Sequence, residues 1–347
     1  MKNRAVLAFA IALLLTAGIA TGVSADISAS PSPSPTDSNS STTMSTTSTP
    51  IATPLSTVVS PSASSTSSNA FASLPKLIDR AVPLTIKPML SSAIEDRPKP
   101  YADRCHVQMN LLPTAATCVY GNAKSSHTIV LYGDSHALSW FPAVEAIAIA
   151  KKWRFISLTM SSCWPADIPP WNGTTHVLMK NCTSWRVATL AKIAKLKPDM
   201  VLVAGTKGFA TVDSKGKVLT GDARTSAWQA GMIRTLTKLK AASPRVVLLG
   251  DTPASSVDAP DCLLLHPFSI AACATPFIQA TAPAWHLVES GVANKMGVQL
   301  IDPTLWICNT DPCSVVQGNF LVFVDGGHLS ETFSTSLAPK LRSALSI

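Results

Sequence analysis

Neither Cys-x-x-Cys nor His-x-x-x-His spacing occurs anywhere in the chain, so the common zinc frameworks are missing and no metal or other cofactor is expected. There is no basic run with interleaved aromatics. The net charge of +8 is spread along the chain, as ordinary solubility requires, with a mild attraction to anionic envelope polymers as the alternative. A nucleic-acid partner is not expected. No internal repeat is visible, which removes solenoids and propellers. Beyond residue 25, no apolar stretch approaches the ~20 residues that a spanning helix needs.

The N-terminal region carries what the rest lacks. Lys2 and Arg4 precede an apolar stretch from Val6 to Ile19, broken only by Thr16 and Gly18, and Val23-Ser24-Ala25 fits a small-residue cleavage site. Residues 1–25 are therefore expected to be a signal peptide, with an uncleaved N-terminal anchor as the alternative, and the protein to be secreted or extracytoplasmic and associated with the cell envelope. No Cys stands near the cleavage point, which argues against a lipoprotein anchor. Residues 26–72 are rich in Ser, Thr and Pro and nearly free of charge. Such a segment has too little apolar surface to offset the entropy of ordering it, and reads as a disordered tether. Residues 73–347 are long enough for one substantial core.

All 8 cysteines lie in that last part. An exported chain meets an oxidising compartment, so disulfides are the natural reading. Sequence order offers Cys105 with Cys118, Cys163 with Cys182, Cys262 with Cys273 and Cys308 with Cys313. Eight cysteines allow 105 connectivities, so proximity alone does not decide the pairing.

Apolar strand-like runs at 128–132, 155–160, 200–204, 245–250, 298–301 and 320–324 alternate with helical patterns at 136–152, 185–196, 225–241, 276–295 and 334–346. Continuous apolar strands followed by helices imply an α/β fold, a mainly parallel sheet covered on both faces. Ligands of such sheets bind beyond the carboxyl ends of the strands. Two polar motifs follow strand runs: Gly133-Asp134-Ser135-His136, and Asp325-Gly326-Gly327-His328-Leu329-Ser330. Together they hold a hydroxyl nucleophile, an imidazole base and a carboxylate to orient the base, the set that serine acyl transfer requires. The backbone N–H of Ser135, at a helix start, would face a developing oxyanion. Plainer readings exist for the neighbours. Asp134 reads as a turn residue, and His136 as either pocket-lining or simply exposed. His106, His127, His176, His266 and His286 have no matching carboxylate motif and read as structural. Trp140, Trp164 and Trp171 read as sugar-stacking or packing residues.

With these motifs the chain resembles the SGNH/GDSL hydrolase superfamily, and more closely the SGNH domain found behind the membrane acyltransferase-3 domain in bacterial surface-glycan O-acyltransferases. Looser matches are Tyr101-Ala102-Asp103-Arg104-Cys105, Ser162-Cys163 and Cys313-Ser314-Val315-Val316. The resemblance implies a flavodoxin-like three-layer α/β/α sandwich and a metal-independent serine mechanism on ester substrates. Ser135 would be the nucleophile, His328 the general base and Asp325 its partner. The superfamily's oxyanion-hole Gly and Asn are replaced by Ser161-Ser162-Cys163 and Ala204-Gly205-Thr206-Lys207, so Ser162 and Thr206 stand in beside Ser135.

The expectation is an exported acyl esterase or O-acyltransferase acting on O-acyl groups, above all O-acetyl, of a cell-wall or other envelope glycan. A separate membrane acyltransferase is a further expected partner, because the multi-helix membrane domain is not in this sequence. The alternative is a catalytically inactive glycan-binding domain on the same fold.

Overall fold

Ile129, Val130, Leu131 and Tyr132 have no solvent exposure at all. Successive residues of a strand point to opposite faces, so a run buried at every position must be covered on both sides. It is: Ile129 and Leu131 join one apolar cluster, while Val130 and Tyr132 join another. The structure, a computed structural model, describes residues 74–109 and 118–347. The expected signal segment 1–25 and tether 26–72 lie outside the described residues.

The central sheet runs in the order His106–Val107, Arg154–Met160, Thr128–Gly133, Met200–Ala204, Val246–Leu249, Gln299–Ile301. These neighbours are all parallel, and Val119–Gly121 adds an antiparallel edge segment against Arg154–Ile156. Helices Phe141–Lys151, Glu331–Ser336 and Ala338–Ala344 supply Val144, Phe333 and Leu341 to the first cluster. On the opposite face, Lys180–Leu196, Gly221–Ala242 and Pro283–Met296 supply Ile193, Leu236 and Val292 to the second. The result is a three-layer α/β/α sandwich with a mainly parallel sheet.

Within this sheet, the strand after Thr128–Gly133 in sequence lies on one side of it, and the following one, Met200–Ala204, lies on the other. The connections therefore diverge beyond Gly133 and leave a crevice, the position where open α/β sheets bind ligands. Ser135 stands at that crevice.

The turn into it demands glycine. Gly133 has φ +153°, and a Cβ there would lie 1.8 Å from the Ala204 carbonyl oxygen and 2.8 Å from the Ala137 Cβ. Neither backbone nor buried helix can give way by that much. We therefore expect Gly133→Ala to destabilise the fold by about 4 kcal/mol or more, the range of severe backbone and core conflicts. A urea-unfolding midpoint within error of wild type would refute this.

Several sequence expectations shift at proline. The helix expected at 136–152 is two helices, Ser135–Leu138 and Phe141–Lys151, with Pro142 at the start of the second. Pro283 and Pro339 likewise begin new helices inside the single ones expected at 276–295 and 334–346. Proline fits the first turn of a helix, where its missing N–H costs nothing, and does not fit the interior. The run 320–324 is a further correction. Only Phe320–Leu321 is strand, paired antiparallel with Val316–Gln317 outside the main sheet. The Asp325–His328 segment is thus a turn that reaches over the sheet edge, closed by the Val324 N–H donating to the His328 carbonyl at 3.0 Å.

The cysteines pair as Cys105–Cys118, Cys163–Cys182, Cys262–Cys273 and Cys308–Cys313, and no free cysteine is found among the described residues.

Candidate active site

Asp134 has no exposure, and its carboxylate organises the nucleophile turn. It accepts the N–H groups of His136 at 2.8 Å and Ala137 at 3.4 Å, capping the short helix Ser135–Leu138. Its other oxygen accepts the Thr206 N–H at 2.9 Å, joining the loop after Met200–Ala204 to the same turn. Asp134 is therefore the structural residue that the sequence suggested, and Ser135 is left free of capping duty. As the first helical residue, Ser135 has an N–H with no intrahelical acceptor.

The Ser135 hydroxyl lies 2.8 Å from His328 Nε2. On the other side of the ring, Nδ1 is 2.8 Å from Asp325 Oδ2 and 3.1 Å from Oδ1. With the proton on Nδ1, that N–H donates to the carboxylate and Nε2 accepts from the serine. Asp325 also accepts the N–H groups of Gly327 and His328, each at 2.8 Å, which fixes the turn that carries both. Burial by itself would raise the Asp325 carboxyl, but the hydrogen bond and charge of His328, with those two N–H groups, hold it well below the usual carboxylate range.

Ser162 and Thr206, expected as oxyanion donors, flank the crevice from the two neighbouring strands. Ser162 follows Arg154–Met160 and has φ +54°, the left-handed region in which glycine is the usual occupant. The N–H groups on either side of it are engaged: Ser161 donates to Val107 O, and Cys163 to Met160 O. Its loop is held by the Cys163–Cys182 disulfide and by Arg186, whose buried guanidinium donates to the carbonyls of Ala166 at 2.7 Å and Ile168 at 2.8 Å. Thr206 differs. Its N–H is committed to Asp134, while its hydroxyl accepts from Gly208 N–H at 2.9 Å and keeps its own proton to donate.

A cleft of about 10 Å³ opens beside the serine, lined by Arg97, Pro98, Tyr101, Ser139, Val324 and Leu329 together with Ser135 and His328. That is room for about one water molecule. Trp140 and Trp164 are buried in the two cores, 1% and 4% exposed, so both pack rather than offer a sugar platform; Trp171 is only partly buried.

His136 is not the exposed residue that the sequence allowed. Its Nδ1 lies 2.7 Å from Asp251 Oδ1, and Asp251 Oδ2 accepts from Lys207 N–H at 2.8 Å and Nζ at 3.1 Å. Burial would raise the Asp251 carboxyl, but His136 and Lys207 hold it well below the usual range. Sequence reasoning missed Asp251 and Lys207. The only signal was an acidic residue just past the strand run 245–250, at the same sheet edge as Ser135. His286, read as structural for want of a matching carboxylate motif, lies 3.2 Å from Glu289 and 3.7 Å from Asp302. His106, also read as structural, bonds Thr159 and Ser161 hydroxyls, and burial pushes its imidazole down to about 3.

A family model described as the SGNH domain (fused to AT3 domains) matches residues 104–343. No curated protein matches the sequence. Among solved structures, the chain is similar to the periplasmic domain of a lipopolysaccharide acetyltransferase from Salmonella ser. Paratyphi A, with 17% identity, a TM-score of 0.49, and coverage of 65% of this chain and 86% of that one. It is also similar to an acetylxylan esterase from Geobacillus stearothermophilus, with 10% identity, a TM-score of 0.38, and coverage of 65% and 97%. An M. smegmatis aryl esterase gives 17% identity, a TM-score of 0.37, and coverage of 63% and 100%.

Proposed function

Since the chain belongs to the SGNH domain family of the kind fused to AT3 domains, we propose that it is an exported, serine-dependent acyl esterase or O-acyltransferase that works through an acyl-Ser135 intermediate on O-acyl groups of cell-envelope glycans. One observation carries this reading: the unbroken hydrogen-bond chain from Asp325 through His328 to Ser135 at the crevice of the sheet.

In this mechanism His328 takes the Ser135 proton as Oγ attacks the ester carbonyl, and Asp325 holds the Nδ1–H tautomer and stabilises the imidazolium. The negative charge that develops on the carbonyl oxygen is met by the Ser135 and Ser162 N–H groups and the Thr206 hydroxyl. Collapse breaks the bond from the acyl carbon to the alcohol oxygen, which leaves with a proton from an imidazole of the site, and the acyl-serine remains. Attack by water completes hydrolysis; attack by a glycan hydroxyl completes transfer, with a separate membrane acyltransferase as the acyl donor. Four disulfides support an oxidising, extracytoplasmic location.

The test is covalent. The purified chain is treated with a fluorophosphonate, and the modified peptide is identified by mass spectrometry alongside the Ser135→Ala variant. Labelling of Ser135 in wild type and none in the variant, together with serine-dependent release from an aryl acetate, is the expected result. A wild type that binds glycan but neither labels nor turns over would leave only a binding domain on this fold.

A further inference from the structure

Directly after the nucleophile, the chain repeats the arrangement of its own base. His136 Nδ1–H donates to Asp251 at 2.7 Å, as His328 Nδ1–H donates to Asp325 at 2.8 Å. The second carboxylate is the more firmly held of the two. Asp251 is 2% exposed, accepts two hydrogen bonds from Lys207, and donates its own N–H to Glu289 Oε1 at 3.1 Å. The two imidazoles face each other across 5.2 Å between ring centroids.

They differ at Nε2. That of His328 meets the Ser135 hydroxyl, whereas that of His136 has no hydrogen-bond partner among the described residues. The His136 side chain keeps 14% exposure. Gly327, on the His328 turn, leaves space against it: a Cβ there would lie 3.7 Å from Nε2 and Cε1. This second pair is built like the first and lacks only its alcohol.

Resting on the serine reading above, we propose that the missing alcohol is the substrate's: His136, oriented by Asp251, is the general acid and base for the leaving and entering alcohol, while His328 serves Ser135. The protons balance. In acylation, His328 takes the Ser135 proton as Oγ bonds the acyl carbon, the bond from that carbon to the alcohol oxygen breaks, and His136 Nε2–H protonates the departing oxygen. The acyl-serine then stands beside a protonated His328 and a neutral His136. In the second half, water or an acceptor hydroxyl gives its proton to His136 as its oxygen bonds the acyl carbon. The bond from Oγ to that carbon breaks, and His328 returns its proton to Oγ. Two imidazoles with different carboxylate partners divide the acid and base roles that one would otherwise alternate between. Burial works against a charged His136, but the Asp251 carboxylate, helped by Asp134, outweighs it and raises its proton affinity, which suits an acid in the resting site.

The readout is leaving-group dependence. A nitrophenolate departs without a proton, and an alkoxide does not. Rates of acyl-Ser135 formation are measured on the full chain with aryl acetates of graded phenol acidity and with an alkyl or monosaccharide acetate. His136→Gln is expected to lower the rate with 4-nitrophenyl acetate by less than about 10-fold and with the alkyl acetate by about 100-fold or more, steepening the plot of log rate against leaving-group pKa. Asp251→Asn, a change in a positioning residue, steepens it in smaller measure and carries the same test should His136→Gln not fold. Equal losses across all leaving groups, or no loss with the alkyl acetate, overturn the proposal. Fluorophosphonate labelling keeps the two readings apart. An unlabelled wild type defeats the serine mechanism itself, while variants that label without steepening the plot defeat only the role of His136.

Discussion

His328→Ala is expected to reduce turnover of every accepted ester by roughly 10⁶, about the loss caused by removing the nucleophile itself. The reason is geometric. The Ser135 hydroxyl has its partner in His328 Nε2 at 2.8 Å. Without it the serine must surrender its proton to water, and a serine hydroxyl is a weak nucleophile unaided. His136 does not substitute, because its ring is anchored to Asp251 after a different strand. The exchange removes a partly exposed side chain together with the hydrogen-bond partner of Asp325, so a modest fall in melting temperature is expected with the fold retained. Turnover within 100-fold of wild type, in a sample shown to be folded, would remove His328 from the mechanism.

Asp325→Asn should cost roughly 10⁴ in turnover. The amide can offer its N–H to the ring and hold the wrong tautomer, with the proton on Nε2 facing the serine. The same substitution carries a second signature. Because the Asp325 carboxyl is held below its ordinary value in the folded chain, the native state binds fewer protons than the unfolded one as pH falls below the usual carboxylate value of 3.8. The stability that Asp325 contributes is full above that pH and is lost progressively below it. The Asn variant should therefore show a flatter decline of melting temperature on the acid side, while at neutral pH it melts below wild type. An unchanged acid slope would mean that the carboxylate is not held as described.

The parts of this site that the sequence displayed are those that lie close together along the chain. Gly133-Asp134-Ser135-His136 and Asp325-Gly326-Gly327-His328 each compress a turn and a functional group into a few residues, and an apolar run marks the strand before the first. Asp251, the partner of His136, and Lys207, which donates to Asp251, come from two other strand ends, 115 and 71 positions from His136 by number. Nothing local marks them, since an acidic residue after a strand is ordinary until the strand order is known. The run 320–324 misled for the opposite reason: five apolar residues suit a sheet strand or any buried segment, and periodicity cannot separate them. The helix breaks at Pro142, Pro283 and Pro339 were readable and were smoothed over by the apolar spacing on either side.

The base and its carboxylate belong to one turn four residues long, but the serine they serve is 193 residues earlier. Such a turn can close on the fast timescale of a short loop, whereas bringing Ser135 to it closes a loop of 193 residues and carries the larger entropic cost. Half of the machinery is thus available to a local fragment and the other half only to the finished topology. On refolding, ester turnover should return with the last long-range contacts, behind signals that report helices and turns, so that enzymatic activity serves as a clock for completion of the chain's closure.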